Sequence, residues 1–309
     1  MRKACLEQIY LLAKKDKRVV FVGSDLGAGT LEHFQEEMPE RFFMEGIAEG
    51  HVVGMACGLA REGKVVYVNT IQSFLTRRCY EQLVLDACLH NLNVRFIGNG
   101  GGLVYAPLGP THWATEDISI LRVIPNMTVL APADAKEMER LMPHTLEHQG
   151  PLFIRLAKGY DPIVTEETSF EIGKAYQYRE GNDVLILGCG VALGVIKEAG
   201  KLLAENGIES SILHLPTVKP LDSEAIIGKA RKASCVITVE EHSVLGGLGG
   251  AVAEILVEAC LPNPLRMKRV GLADSFSENY GTQLQHMNQN GLTAENILIE
   301  ARKLLDMGH

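Results

Sequence analysis

The chain has 309 residues, a net charge of −8 at pH 7 and seven cysteines. This mild acidity, without any basic tract, argues against nucleic acid or an anionic membrane surface as the main partner, and no apolar run reaches membrane-spanning length. The cysteines are scattered, with no Cys-x-x-Cys pair and no metal-ligand spacing. Together with a first stretch, MRKACLEQIY, that lacks a signal-peptide core, this fits reduced thiols in a cytoplasmic protein.

In chain order, strand-like apolar runs alternate with helical stretches. Residues 18–23 form the first run and lead into Ser24-Asp25-Leu26. Glu45-Gly46-Ile47-Ala48-Glu49-Gly50-His51 follows, and then the small-residue run 52–60, VVGMACGLA, which suits a buried helix packed tightly on its neighbours. A second strand is predicted at 64–68, followed by a helical start, Phe74-Leu75-Thr76-Arg77-Arg78-Cys79-Tyr80. The third strand, 94–97, runs into the glycine cluster 98–102 and then Gly109-Pro110-Thr111-His112. Strands at 127–130 and 152–156 complete an α/β unit with a mainly parallel sheet, with Lys158 just beyond. After a polar, Pro-containing stretch at 159–181, a second α/β series has strands at 184–187, 210–214, 235–239 and 267–271. The expected architecture is two successive three-layer α/β domains, 1–173 and 174–309, with ligands held by loops at strand ends.

Several residues carry possible chemistry. Glu49 is a lone carboxylate at the mouth of an apolar helix. It is either a partner of the helix dipole or a candidate for a raised pKa and proton transfer. Phe74 and Tyr80 are either core rings or stacking surfaces for a planar heterocycle. His112, in a loop beyond a strand end, is either a polar surface group or a proton-exchanging contact for a substrate. Lys158 is either solvated or a point charge for phosphate, and Asp25 on its own is an ordinary loop or capping residue. The glycines at 188–194 suggest a dinucleotide fingerprint, but the next strand ends without an acidic residue for a ribose, so tight turn packing is favoured. Those at 246–250 suit a phosphate cradle or a structural turn.

Taken together, Gly23-Ser24-Asp25-Leu26, Gly46-Ile47-Ala48-Glu49, Phe74 with Tyr80, Gly109-Pro110-Thr111-His112, Pro125-Asn126 leading to Ala131-Pro132-Ala133-Asp134, and Val239-Glu240-Glu241-His242 resemble the C-terminal half of thiamine-diphosphate-dependent transketolases and deoxyxylulose-phosphate synthases. The resemblance covers nearly the whole chain. It implies that Glu49 hydrogen-bonds the aminopyrimidine of thiamine diphosphate and activates the cofactor. It places Asp25, Leu26, Phe74, Arg77 and Tyr80 around the cofactor, and gives His112 and Lys158 to the sugar phosphate. The pattern is broken in places. Arg77 stands where transketolases carry a third ring, and Leu108 where an acidic residue usually precedes Gly-Pro-Thr-His. Residues 98–100 lack the family's upstream His, and Lys158 replaces an Arg. The chain contains no Gly-Asp-Gly, so the resemblance assigns the diphosphate and its Mg2+ to a separate N-terminal subunit, with no metal site in this chain. The expected assembly is a homodimer of this chain within a heterotetramer. The expected reaction is ketol transfer between sugar phosphates in carbohydrate metabolism. A deoxyxylulose-phosphate-synthase-like subunit, a 2-oxo acid dehydrogenase E1 beta-type subunit and a non-catalytic scaffold are the alternatives.

Overall fold

The structure is a computed structural model and describes residues 1–24, 31–157, 161–262, 265–277 and 279–306. Its first sheet is built from β1 (Val19–Gly23), β2 (Phe42–Met44), β3 (Val65–Ile71), β4 (Val94–Asn99), β5 (Thr128–Leu130) and β6 (Leu152–Leu156). The second contains β7 (Tyr176–Arg179), β8 (Val184–Gly188) and β9 (Ser210–His214). The chain then gives a short strand, β10 (Thr217–Lys219), back to the first sheet before adding β11 (Cys235–Ser243) and β12 (Arg266–Leu272) to the second. The sheet orders are β10-β5-β6-β4-β3-β1-β2 and β12-β11-β8-β9-β7. Pairing is parallel except at β10, against β5, and β7, against β9. Both halves are thus α/β with mainly parallel sheets, as expected.

Why these runs form strands follows from their burial. Every residue of β1, β4, β6 and β8 is buried, the signature of a parallel strand covered by helices on both faces. One apolar cluster continues through both halves, joining Ile118, Leu121 and Val129 of the first to Leu185, Leu213 and Val252 of the second. The halves therefore share a core, and their relative placement is held by packing as well as by β10.

The small-residue helix, Glu49–Arg61, differs from expectation. Val52, Val53, Ala56, Cys57 and Ala60 face the sheet. Gly54 and Gly58 lie on the opposite, exposed side, where an added Cβ would meet nothing within 4 Å. Apolar residues at i, i+1, i+4, i+5 and i+8 supply one buried stripe, and the glycines open the other side rather than tightening the interior.

Candidate active site

Glu49 is the first residue of its helix, positioned by Gly46 at φ +69° and a non-helical Ala48. The residue is 4% exposed. The next strand, β3, leads without a loop into the helix Gln72–Arg78, which carries Phe74, Arg77 and Arg78. Arg78 Nη1 donates to Glu49 Oε2 at 3.1 Å, and the same guanidinium lies 3.9 Å from the centroid of the Phe74 ring. On this helix Phe74 and Arg78 are four residues apart and so share a face. The Phe74 ring also meets His112, with centroids 5.0 Å apart and planes at 62°. The structure thus brings together Glu49, Phe74 and His112, and adds Arg78, which sequence reasoning passed over although its spacing from Phe74 was visible.

His112 lies at the end of the loop Gly109-Pro110-Thr111-His112. Its Nδ1 is 2.9 Å from Thr111 Oγ1, and Ser73 Oγ donates to the Thr111 carbonyl at 3.3 Å. Arg77 clamps this loop. It pairs with Glu116 through Nε and through Nη2 (3.0 Å), and its Nη1 donates to the Pro110 carbonyl at 2.9 Å. Burial of Glu116 favours its neutral form, but the Arg77 pairing outweighs this and holds its pKa below the usual value. Arg77 thus holds the loop from the end of the Phe74 helix. Tyr80 follows on the next turn, its hydroxyl donating to the Ile120 carbonyl at 3.1 Å and its ring packed on the core. Leu108 is half exposed at the mouth of the loop, and Asn99 is tied to Asn69 at 2.8 Å. Asp25, Leu26 and Lys158 lie outside the described residues.

A cleft of about 850 Å³ opens on the other side of the loop, between Arg77, Pro110, Trp113 and Glu116 of the first half and Phe276 and His286 of the second. Glu49, Phe74 and His112 do not line it. The candidate site is instead an open face at the C-terminal ends of β1, β3 and β4. Among the described residues, no three His, Cys, Asp or Glu side chains gather where they would hold a metal ion.

The two glycine-rich signals resolve as internal structure. The amides of Leu248 and Gly249, opening the helix Leu248–Glu258, donate to the two oxygens of Glu240 at 2.7 and 2.8 Å. The anion position at that helix start is filled by the protein's own carboxylate. Gly190 N–H donates to the Ala131 carbonyl at 2.9 Å, so the turn after β8 packs on the first half.

What the Glu49 group accepts is legible from what Arg78 does there. Its guanidinium is a flat cation with a nitrogen donor on a buried carboxylate and a face on an aromatic ring. A planar nitrogen heterocycle offers the same two features, so the residues present fit an aminopyrimidine.

Residues 1–160 match the family described as "Transketolase, pyrimidine binding domain", and residues 173–297 match "Transketolase, C-terminal domain". The class is therefore a two-part α/β chain, a thiamine-diphosphate pyrimidine-binding domain followed by a transketolase C-terminal domain. Over 99% of its length the chain is 37% identical to a 6-deoxy-6-sulfo-D-fructose transketolase subunit of Clostridium sp. (strain MSTE9), covering 94% of that protein. It is 39% identical over 93% of its length to 1-deoxy-D-xylulose-5-phosphate synthase 1 of Geobacter sulfurreducens, of which it covers 45%. A solved structure titled "Split gene transketolase, inactive beta4 tetramer" superposes with a TM-score of 0.88 at 33% identity, covering 100% of this chain and 98% of that one. The chain belongs to the transketolase family.

Proposed function

We propose that this chain is the pyrimidine-binding, C-terminal subunit of a two-subunit transketolase that moves a ketol unit between sugar phosphates. The observation that carries the reading is the arrangement of Glu49, Phe74 and His112 on one open face, with a flat cation on Glu49 and Phe74. The similarity to a named transketolase subunit along nearly its full length supports it. When bound, thiamine diphosphate supplies a nucleophilic carbon that takes up and releases the ketol unit. Glu49 would meet the aminopyrimidine ring nitrogen in the position now taken by the Arg78 guanidinium and exchange a proton with it, and its burial keeps water from competing for that hydrogen bond. Phe74 stacks on the ring. His112, with Nδ1 engaged by Thr111, offers Nε2 to a sugar hydroxyl or carbonyl. Lys158 takes the sugar's phosphate, and Asp25 and Leu26 border the cofactor.

A separate N-terminal subunit binds the diphosphate and Mg2+. Two copies of this chain pair within a heterotetramer that works in the cytoplasm. The exposed side of the helix Glu49–Arg61, where Gly54 and Gly58 leave room for a closely packed neighbour, suits that pairing. Leu108 at the loop mouth removes a polar partner for a substrate hydroxyl, so the sugars accepted differ from the common pentose and hexose phosphates.

The test is reconstitution. The chain combined with its partner, thiamine diphosphate and Mg2+ should transfer a ketol unit from 3-hydroxypyruvate to glyceraldehyde 3-phosphate. His112→Ala should lower that turnover by roughly 100-fold. A stable complex that binds cofactor without turning over any ketol donor contradicts the reading and leaves a scaffold subunit. Condensation of pyruvate with glyceraldehyde 3-phosphate in place of ketol transfer would instead assign it to the synthase side of the family.

A further inference from the structure

The loop that presents His112 is fastened from the second half of the chain. Gly102 and Ala114 pair in antiparallel fashion, through bonds of 2.9 and 3.0 Å, and so close the base of loop 103–113. Beneath that base lies the end of β11, where Glu240, Glu241 and His242 are all buried. Glu240 turns back to its own helix, but Glu241 turns across the seam. Its Oε1 accepts from the Leu103 amide at 2.9 Å and from Gln283 Nε2 at 2.8 Å, and its backbone carbonyl accepts from Arg155 Nη2 at 2.8 Å. Arg155 Nε reaches Asp117 Oδ2 at 2.7 Å, and Gln72, the first residue of the Phe74 helix, donates to the same oxygen. Gly102 sits at φ +64°, and a Cβ there would lie 2.6 Å from the Glu241 carboxyl carbon. A side chain at this position would displace either the loop or the carboxylate.

We propose that Glu241 is a positioning residue for ketol transfer, and that through it the second domain fixes the His112 loop against Phe74. This rests on the function proposed above. Glu241 is remote in sequence from everything it holds, 138 residues from Leu103. Burial pushes its carboxyl pKa up, against the pull of Arg155, so the fold keeps it there at a cost. The contact on Leu103 is one that β11 does not need for its own pairing. Glu49 is held separately by Arg78 and the start of its own helix. Loss of Glu241 should therefore disturb the substrate end of the site and spare cofactor activation. A displacement of about 1 Å at a reacting group is enough to lower a rate by as much as 100-fold.

The experiment compares Glu241→Ala with Glu241→Gln, which keeps an oxygen for the Leu103 amide. Two readouts are used. The first is emission from Trp113 in the isolated chain. It is the sole tryptophan, buried in this loop, with Nε1 donating to the Ala106 carbonyl at 3.2 Å and its ring against His286. In Glu241→Ala the emission should shift to the red and become more accessible to acrylamide, and in Glu241→Gln it should stay near that of the wild type. The second readout is the two-subunit complex with 3-hydroxypyruvate and glyceraldehyde 3-phosphate. Glu241→Ala should lower kcat roughly 10- to 100-fold while exchange of the cofactor's C2 proton stays within about twofold, and Glu241→Gln should recover most of kcat. Unchanged kcat and Trp113 emission in Glu241→Ala overturn the proposal, as does a C2 exchange rate that falls in parallel with kcat. A wild-type complex with no C2 exchange refutes the proposed function instead, and the Trp113 arm then decides alone whether Glu241 fixes the loop.

Discussion

Replacing Arg78 by alanine strips the Glu49 carboxylate of its guanidinium partner. The Glu49 side chain is 5% exposed and that of Arg78 is 52% exposed, with 3.1 Å between the bonded atoms. Breaking a fully buried ion pair by removing one partner costs about 3–5 kcal/mol. Half of this pair already faces water, which screens it, so the expected cost is nearer to about 1–2 kcal/mol. At about 2–4 °C per kcal/mol, the unfolding midpoint of the isolated chain should fall by roughly 2–8 °C. Glu49→Gln removes the charge that Arg78 compensates. In that background the same Arg78→Ala change should cost much less, and the coupling between the two sites should be about 1 kcal/mol or more. Denaturant unfolding of the wild type, the two single variants and the double variant, all as isolated chains, measures this directly. If the two effects add within about 0.5 kcal/mol, Arg78 is not what holds Glu49. The stacked guanidinium would then be no guide to what the site accepts.

Three further expectations follow from the same structure. Glu240→Ala leaves the Leu248 and Gly249 amides without their acceptor at a buried helix start; this should cost about 2–3 kcal/mol, and an unchanged melting midpoint would contradict the internal-anion account of the glycine cluster. Burial, with Arg95 acting in the same direction, pushes the His148 imidazole down from 6.5 to about 4. The unfolded ring takes up its proton at the higher pH, so native stability should decline as pH falls from about 6.5 towards 4. Because the ring is partly exposed, His148→Asn should remove on the order of 1 kcal/mol of that decline, and superimposable pH–stability curves for the two proteins would refute the assignment. Calorimetric titration of the isolated chain with thiamine diphosphate and Mg2+ should give weak binding or none, whereas tight binding by the chain alone contradicts the assignment of the diphosphate and metal to a partner.

The sheets were readable because strands covered on both faces must be largely apolar, as in β1 and β8, while the buried Arg95 and Asn99 of β4 and Arg155 of β6 are each hydrogen-bonded. The short β2, β7 and β10 were not. β10 has three residues between two prolines, and what makes it a strand is a neighbour 87 residues away, Leu130 beside Thr217. The one-sided burial of the helix Glu49–Arg61 was misjudged because small residues look alike whether they line an interior or open a surface. Glu49, Phe74 and His112 could be named from motif order, but their adjacency is set by the helix that follows β3 and the loop that follows β4. Arg78 was within reach of the sequence as a cation one helical turn from an aromatic ring. The clamping role of Arg77 was not, since its partners Pro110 and Glu116 belong to a different loop. Glu241 stood in a recognised motif, yet nothing in the motif says that its oxygen reaches Leu103.

The most direct test of the central claim is the exchange rate of the cofactor's C2 proton in the two-subunit complex, followed by NMR after acid quench. Glu49→Gln keeps the size of the side chain and a hydrogen-bonding group but cannot hold the proton. The account predicts exchange slower by roughly 100-fold or more, with the fold and the subunit assembly intact. An exchange rate equal to that of the wild type would reduce Glu49 to a helix-start carboxylate paired with Arg78 and contradict the account.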